Sequence, residues 1–576
     1  MKWASVLVAV CCLLGVSSAA WADMPPSTSS SARAATQDPA ADNAQAAAAP
    51  SAPAPPPVGL EAAEPKTVFG ESLSKFNAAL TGVLFWDISL GAFRHPKLDA
   101  AGNPMRDPAN GKLVMAGATI PFIVAVLALG AVFFTFWYRF INLRAFRHAI
   151  DVVRGKYDDP ADEGEISHFR ALTSALSATV GLGNIAGVAI AIQKGGPGAV
   201  FWMIVMAIFG MSAKFSSCTL AVLHRQQNPD GSVSGGPMYY LDLGLKKLGV
   251  GPLGKVLGVM YALMVMGGSF GGGNMFQSNQ SFAVVKHTAG LGDGAKYVYG
   301  VIIAVAVGLV IIGGIKRIGA ATARVVPLMC GVYVLASVVV IIANAGQIPE
   351  AISTIVSMAF TKNAVFGGAV GVLVIGVTRA AFSNEAGLGS AAIAHAAAKT
   401  DEPVREGMVA MLGPFIDTII ICSMTALIVV VTGTWKDPGT ADGVVMTSTA
   451  FASVMSWFPW VLSLCVVMFA YSTMISWCYY GERGWIYLFD HAGAGVGLRS
   501  VVVFRVLFVV ASFLGAVMEL GPVLDFSDLM ILCMAFPNIL GSVILAPQLL
   551  KLVQDYWRRY TSGEMQPYRA PAADAP

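Results

Sequence analysis

Charge is what this sequence has least of. Of its 576 residues only 12% are Asp, Glu, Lys or Arg, while 56% are hydrophobic. A soluble protein usually carries about 25% charged residues, because its exterior must face water. The shortage excludes an ordinary soluble fold. The formal net charge of +3 is too mild for a nucleic-acid-binding surface, so no nucleic-acid partner is expected. None of the eight cysteines forms a CxxC pair. Cys11 and Cys12 fall in the first apolar stretch, and Cys218, Cys330, Cys422, Cys465, Cys478 and Cys533 sit inside apolar runs, where they read as small core residues. Past the first 22 residues we read no HExxH, no Walker A loop and no nucleophile elbow. His395 has no neighbour in sequence that would complete a ligand set. The chain is therefore read as no enzyme and as needing no cofactor.

What is present is apolar length. The sequence has a mean hydropathy of +0.66, and its repeated apolar runs of about 18 residues or more can each cross a bilayer core of about 30 Å as a helix. In lipid only helices or a closed barrel satisfy the backbone. Long runs without alternation select helices, so the class is an all-α polytopic membrane protein embedded in a lipid bilayer.

Residues 1–22 read as a signal peptide: Lys2, an apolar stretch to about Val16, and Ala20-Trp21-Ala22 as the cleavage site. An uncleaved anchor is the alternative. Residues 23–66, rich in Ala, Pro and Ser, cannot bury a core and read as a disordered periplasmic linker. The membrane domain is expected over 67–550, with an interfacial helix across 68–95, and 551–576 as a cytoplasmic tail. Eleven spans are expected, near 119–139, 169–193, 197–223, 254–285, 297–315, 322–344, 365–396, 405–433, 447–480, 500–519 and 527–550. Arg139, Arg144, Arg147, Arg154, Lys246, Lys247, Lys316, Arg317, Arg405, Arg558 and Arg559 crowd one set of loops. That set is the cytoplasmic one by the positive-inside rule. The mature N-terminus is then periplasmic and the C-terminus cytoplasmic, in agreement with a cleaved leader.

Without the first span, ten remain. Two groups of five (169–344 and 365–550) start from opposite sides of the membrane, the arithmetic of a 5+5 inverted repeat. Each group opens on a span with polar residues and glycines in its middle: 171-ALTSALSATVGLGNIAGVAIAI-192 and 376-GVTRAAFSNEAGLGSAAIAH-395. Paired interrupted helices point to a central transport site, because a broken helix frees backbone groups that lipid cannot satisfy. Gly181, Gly183 and Ala186 also fit G-x-G-x-x-A, but no acid follows at the distance a dinucleotide site needs. Gly183 and Gly187 form GxxxG, so a plain packing role stays open.

The segments GNIAGVAIAI, GGPGAVFWM, GGPMYY, RAAFSNEAGLGSAAIAHAAA and FAYSTMISWCYYGE resemble the alanine or glycine:cation symporter family, over roughly 119–550. The resemblance implies a leucine-transporter-like core with one extra helix in front. It implies secondary import of alanine or glycine, with sodium as the coupling ion, in a bacterial inner membrane, by a functional monomer. Residue by residue, it places the substrate at Thr179, Gly181, Leu182, Gly183 and Asn184, with the ammonium near Phe382 and Ser383 and a polar contact from Gln277. It places sodium at Ser177, Val180, Asn184, Phe469, Ser472 and Thr473. An interhelical bond for Gln277, and helix self-bonding for Ser472 and Thr473, are the plainer alternatives. Two positions depart from the family: Leu182 stands where Thr is common, and Ser217 where an acid is common after Lys214.

Arg379 and Glu385 fall inside the second broken span, where charge is expensive. They read as a gate or as a structural ion pair. Asp417 is free to pair with Arg379 or Lys214, while Glu519, Asp525 and Asp528 are expected to be solvated. A proton-coupled symporter, with Glu385 as the titrating group, and a transporter-like sensor are the competing readings.

Overall fold

The computed structural model describes residues 68–97, 104–106, 113, 115–360, 368–437, 443–490, 495–518 and 521–568. The expected leader, the linker to residue 66, and Glu519 lie outside them. The chain divides into two compact units, residues 1–74 and 75–576. Of the first, only the opening turns of helix α1 (Val68–Leu84) are described.

The expected helix over 68–95 stops at Leu84. Asp87 explains the stop: its carboxylate accepts from the backbone N–H of Ser89 (3.0 Å), Gly91 (3.2 Å) and Ile120 (3.1 Å). Such local bonds compete with a helix. Strands β1 (Arg94–Pro96) and β2 (Met115–Gly117) then pair antiparallel and lead into α2 (Phe122–Trp137).

The remaining described chain is a helical bundle. Its elements are α3 (His168–Thr179), α4 (Val188–Gly195), α5 (Gly198–Leu223), α6 (Pro237–Lys247), α7 (Gly251–Phe270), α8 (Phe276–Ala289), α9 (Ala295–Ile311), α10 (Gly314–Ala343), α11 (Gly368–Asn384) and α12 (Ala391–His395). These are followed by α13 (Pro403–Ala410), α14 (Ser423–Val431), α15 (Phe458–Asp490), α16 (Val496–Val517), α17 (Gly521–Cys533) and α18 (Ala535–Thr561). Seven helical stretches among the described residues are long and apolar enough to cross a membrane, and the bent pair α3–α4 makes eight. Shorter apolar helices, α2, α9 and α11 among them, have fewer than 18 residues. On α9 the residues Val298, Val301, Ile302, Val305 and Leu309 are each more than half exposed. Their i, i+3, i+4, i+7 spacing is one helix face. That face is apolar and points outward, as lipid requires.

One expected span is shifted. In place of 447–480 the chain forms a short helix, Gly443–Ala452, and then the 33-residue α15. Pro459 suits the first turn of α15, where a missing N–H costs nothing. The helix runs on to Asp490 because its charges are paired. Glu482 accepts from Arg505 at 2.8 and 2.9 Å.

Three π-helical turns interrupt the bundle: Gly183–Gly187, Gly271–Met275 and Phe415–Cys422. Such turns concentrate at functional sites. α15 packs against α3, α7, α10 and α16 at the centre.

Candidate functional site

α3 begins on Ser167, whose hydroxyl accepts from Arg170 N, and ends where Val180 leaves helical geometry at ψ 92°. Its continuation beyond Gly183 is bent by 57° from it. Asn184 turns back and accepts from Gly181 N–H at 2.9 Å, so a side chain replaces the lost helical acceptor. Glycine at 181 leaves room for the Thr473 hydroxyl: a Cβ there would lie 2.8 Å from Thr473 Oγ1, which would have to move.

The second break lies between α11 and α12. Glu385 takes a positive φ of 54°, a conformation that costs a non-glycine residue about 1–2 kcal/mol. Side chains from elsewhere hold the freed carbonyls. Lys214 Nζ donates to Asn384 O (3.1 Å), Asn538 Nδ2 to Gly387 O (2.7 Å) and Tyr261 OH to Leu388 O (3.1 Å). Lys214 thus belongs to the frame of the break, and its charge also acts on Glu385. Ser390 donates to the Glu385 carboxylate.

Between the two breaks lies a cavity of about 150 Å³. Its wall includes Thr179, Gly181, Leu182, Gly183, Gln277, Phe382 and Thr473. Gln277 is buried. Its Nε2 donates to Gly272 O at 3.0 Å, while its Oε1 has no partner. An acceptor without a donor in a buried site costs about 1–3 kcal/mol, so a ligand donor there is favoured.

On one side of the cavity, α3 and α15 are joined through oxygens. Thr473 Oγ1 donates to Ser177 O (3.1 Å), Ser177 Oγ to Ser472 O (2.5 Å) and Ser476 Oγ to Ser177 Oγ (2.9 Å), whereas Ser472 Oγ bonds back to Phe469 O within α15 (3.0 Å), the self-bonding alternative named for it above. Ser177, Phe469, Ser472 and Thr473 therefore converge, with Val180 one turn on. Neutral oxygens of this kind suit a hard cation.

Asn184 and Ser383 lie elsewhere. Neither is in the cavity wall; both turn to Asp417, which the third π-helical turn carries inward. Ser383 Oγ donates to both carboxylate oxygens, at 2.8 and 3.0 Å, and Asn184 Nδ2 donates to Oδ1 as well as to Asp417 O (3.3 Å). Asn384 Nδ2 donates to Thr418 Oγ1 at 3.0 Å. Asp417 is fully buried, and among the described residues no cationic nitrogen lies within 4.0 Å of it. Sequence reading had noticed Asp417 but offered Arg379 or Lys214 as its partner. The inward turn that brings it to Asn184 leaves no mark in the hydropathy pattern.

Arg379 and Glu385 do not pair with each other. Both line the cavity, but Arg379 stacks over Phe382 at 5.9 Å and shares the wall with Asp528. Asp528 is exposed, as expected, and also lines the cavity. The G-x-S-x-G spacing, which the sequence reading passed over, does occur at Gly267–Gly271. It lies at the end of α7, where Ser269 Oγ donates to Met266 O at 2.7 Å. A serine bonded back into its own helix is no nucleophile elbow.

A family model described as the sodium:alanine symporter family matches residues 111–570. The sodium/alanine symporter AgcS of Methanococcus maripaludis is 41% identical over 429 residues, covering 74% of this chain and 92% of that protein. The probable sodium/glutamine symporter GlnT of Bacillus subtilis is 32% identical over 444 residues, 77% of this chain and 89% of that protein. Among solved structures, MhsT in complex with L-phenylalanine aligns with 66% of this chain and 98% of its own, at a TM-score of 0.44 and 13% identity. The family match over most of the chain and the identity to a full-length relative agree: this protein belongs to the sodium:alanine symporter family of membrane transporters.

Proposed function

We propose that the protein imports a small neutral amino acid, alanine or glycine, together with sodium, by alternating access across a bacterial inner membrane. The observation that carries this is the cavity at the meeting of two broken helices, with an unpartnered Gln277 acceptor in its wall and the oxygen cluster of Ser177 and Thr473 beside it. The start of the π-helical turn at Gly183 offers backbone N–H groups and a positive dipole end to the substrate carboxylate. Gln277 Oε1 takes the ammonium, and Phe382 with Leu182 closes the apolar side. One relative is named for alanine and another for glutamine, and the identity to the alanine symporter is the higher, 41% against 32%.

Sodium is the coupling ion in this reading. One site is formed by Ser177, Val180, Phe469, Ser472 and Thr473. A second is formed by Asn184, Ser383 and Asp417, where the buried carboxylate is held by hydroxyl and amide groups and Lys214 acts on it only from a distance. The proposal keeps eleven spans in a 5+5 inverted repeat, with the basic side cytoplasmic, the mature N-terminus periplasmic, and the monomer as the working unit. Alternating access then moves one set of helices against the rest around a fixed site.

Alanine uptake by purified protein in liposomes tests this, with an inward sodium gradient against choline. Accumulation above equilibrium that requires sodium supports symport. Uptake driven by a proton gradient instead would replace sodium by a proton at Asp417 or Glu385. Accumulation under neither gradient removes alanine as the substrate.

A further inference from the structure

A basic pocket stands apart from the transport cavity, at the ends of α5 and α6. Its volume is about 400 Å³, and its wall is Leu223, His224, Arg225, Leu243, Lys246 and Lys247. Leu243, Lys246 and Lys247 follow one another at i, i+3 and i+4, so they share one face of α6. The other wall is the end of α5, which stops at Leu223 with His224 and Arg225 just beyond.

No acid answers these charges. Among the described residues, no carboxylate oxygen lies within 4.0 Å of Arg225, Lys246 or Lys247. Asp242, beside them in sequence, faces a neighbouring pocket and accepts from Tyr487 OH at 3.0 Å. Arg225 donates to the carbonyls of Glu163 (2.8 Å), Ala396 (3.2 Å), Ala398 (2.6 Å) and Thr400 (2.8 Å). Carbonyls are neutral, so these bonds hold the guanidinium in place without cancelling its charge. The helix ends work against an anion, since each C-terminus carries about half a negative charge. Two such ends are outweighed by three full positive charges.

His224 is a second, independent signal. Only 3% of it is exposed, and neither ring nitrogen has a hydrogen-bond partner among the described residues. A neutral imidazole is a donor at one nitrogen and an acceptor at the other. Leaving such groups unmatched in a buried site is costly, and the pocket that the ring lines is where a partner can reach it.

The pocket adjoins an apolar face. Lys246 lies against the first residue of α7: a Cβ on Gly251 would be 3.5 Å from its Cγ. From there Leu253, Val256 and Leu263 stand exposed along one face of α7, and Leu248 and Val250 are exposed in the link between the two helices. A free phosphate needs only the charges. A phospholipid needs a cationic pocket for its headgroup and an apolar face for its chains, and the two lie side by side here. Basic pockets between helices at the cytoplasmic side of a membrane bind anionic headgroups.

We propose that this pocket binds the phosphate of an anionic phospholipid from the leaflet on the basic side of the membrane. Lys246 and Lys247 meet its charge, His224 bonds the headgroup, and the acyl chains lie along Leu253, Val256 and Leu263. The site is separate from the cavity and does not depend on the transport reading.

Dioleoylphosphatidylglycerol titrated into the full-length protein in detergent with phosphatidylcholine tests this. Bound lipid is counted by native mass spectrometry, and the melting temperature is read alongside. One phosphatidylglycerol is expected to bind saturably and to raise the melting temperature by about 3 °C or more. Lys246→Gln together with Lys247→Gln is expected to weaken that binding about thirtyfold, at about fivefold for each lysine. Both lysines are exposed, so the melting temperature without phosphatidylglycerol stays at the wild-type value. His224→Leu is expected to weaken binding about fivefold. Arg139→Gln together with Arg147→Gln, which removes two exposed cations outside the pocket, is expected to bind like the wild type. An equal loss in that control means general attraction to a basic surface and overturns the site, as does a lysine variant that binds like the wild type. His224→Leu at wild-type affinity leaves a surface patch and no pocket, and overturns it too. Inorganic phosphate that produces the same saturable shift in phosphatidylcholine alone makes the ligand a free phosphate and overturns the lipid assignment.

Discussion

Asn184 and Asp417 meet side chain to side chain where two π-helical turns face each other, one inside the first broken helix and one just past the second. The contact sets a full carboxylate beside a neutral amide and the Ser383 hydroxyl, deep in the bundle and without a basic partner among the described residues. A buried carboxylate in that position favours a cation.

Asp417→Asn keeps the shape and removes the charge. We expect the sodium concentration for half-maximal alanine uptake to rise at least about tenfold, equivalent to roughly 1.4 kcal/mol. A sodium activation curve on reconstituted protein checks it. An unchanged curve together with a lost pH dependence of uptake would make Asp417 a proton carrier instead.

Thr473→Val removes the hydroxyl that donates to Ser177 O at 3.1 Å while keeping the volume. A single neutral hydrogen bond is worth about 1 kcal/mol, so sodium activation is expected to weaken about fivefold with the fold intact. Thermal stability of the detergent-solubilised variant, measured alongside, separates a binding effect from unfolding.

Gln277→Leu deletes the unpartnered acceptor in the cavity wall. Alanine KM is expected to rise about tenfold, with a smaller effect on sodium activation. Competition of unlabelled amino acids against labelled alanine reads this directly, and an unaltered KM would leave Gln277 with only its bond to Gly272 O, five residues back in the same helical stretch.

His148, in the helix Phe146–Val153 ahead of the first broken helix, bonds Tyr556 OH at 2.7 Å, and burial holds its pKa down at about 4. Its ordinary value is about 6.5. Between those values the unfolded chain takes up a proton that the folded one refuses, so stability falls as the pH drops from about 6.5 towards 4. Melting temperature against pH should decline through that window in the wild type and decline less in His148→Gln. Equal slopes would assign the decline to other groups.

Much of the site was legible because lipid leaves a sequence little freedom. Polar residues and glycines in the middle of an apolar run, as at Ser177 to Gly187, stand out against their surroundings, and the family's motifs fall on those positions. The partners of these residues were less legible. Arg379 and Glu385 were read as a pair because both charges fall in one apolar span, but six residues apart they lie on different faces of a helix, and the structure does not bring them together. His168 and His395 both bond the buried Glu406 carboxylate, but His395 and Glu406, eleven residues apart, and His168, more than two hundred residues upstream of both, give no pattern that sequence spacing can register.

By itself the sequence determined the class of the protein, its apolar helices and the position of the first break, because hydropathy and glycine act locally and each run must satisfy its own backbone in lipid. Only the tertiary structure decided which oxygens converge. Asn184 and Ser383 face Asp417 instead of the cavity, and Glu406 holds two histidines from different helices. Those choices depend on how the broken helices bend and rotate against their neighbours, and a bend of 57° redirects every side chain beyond it.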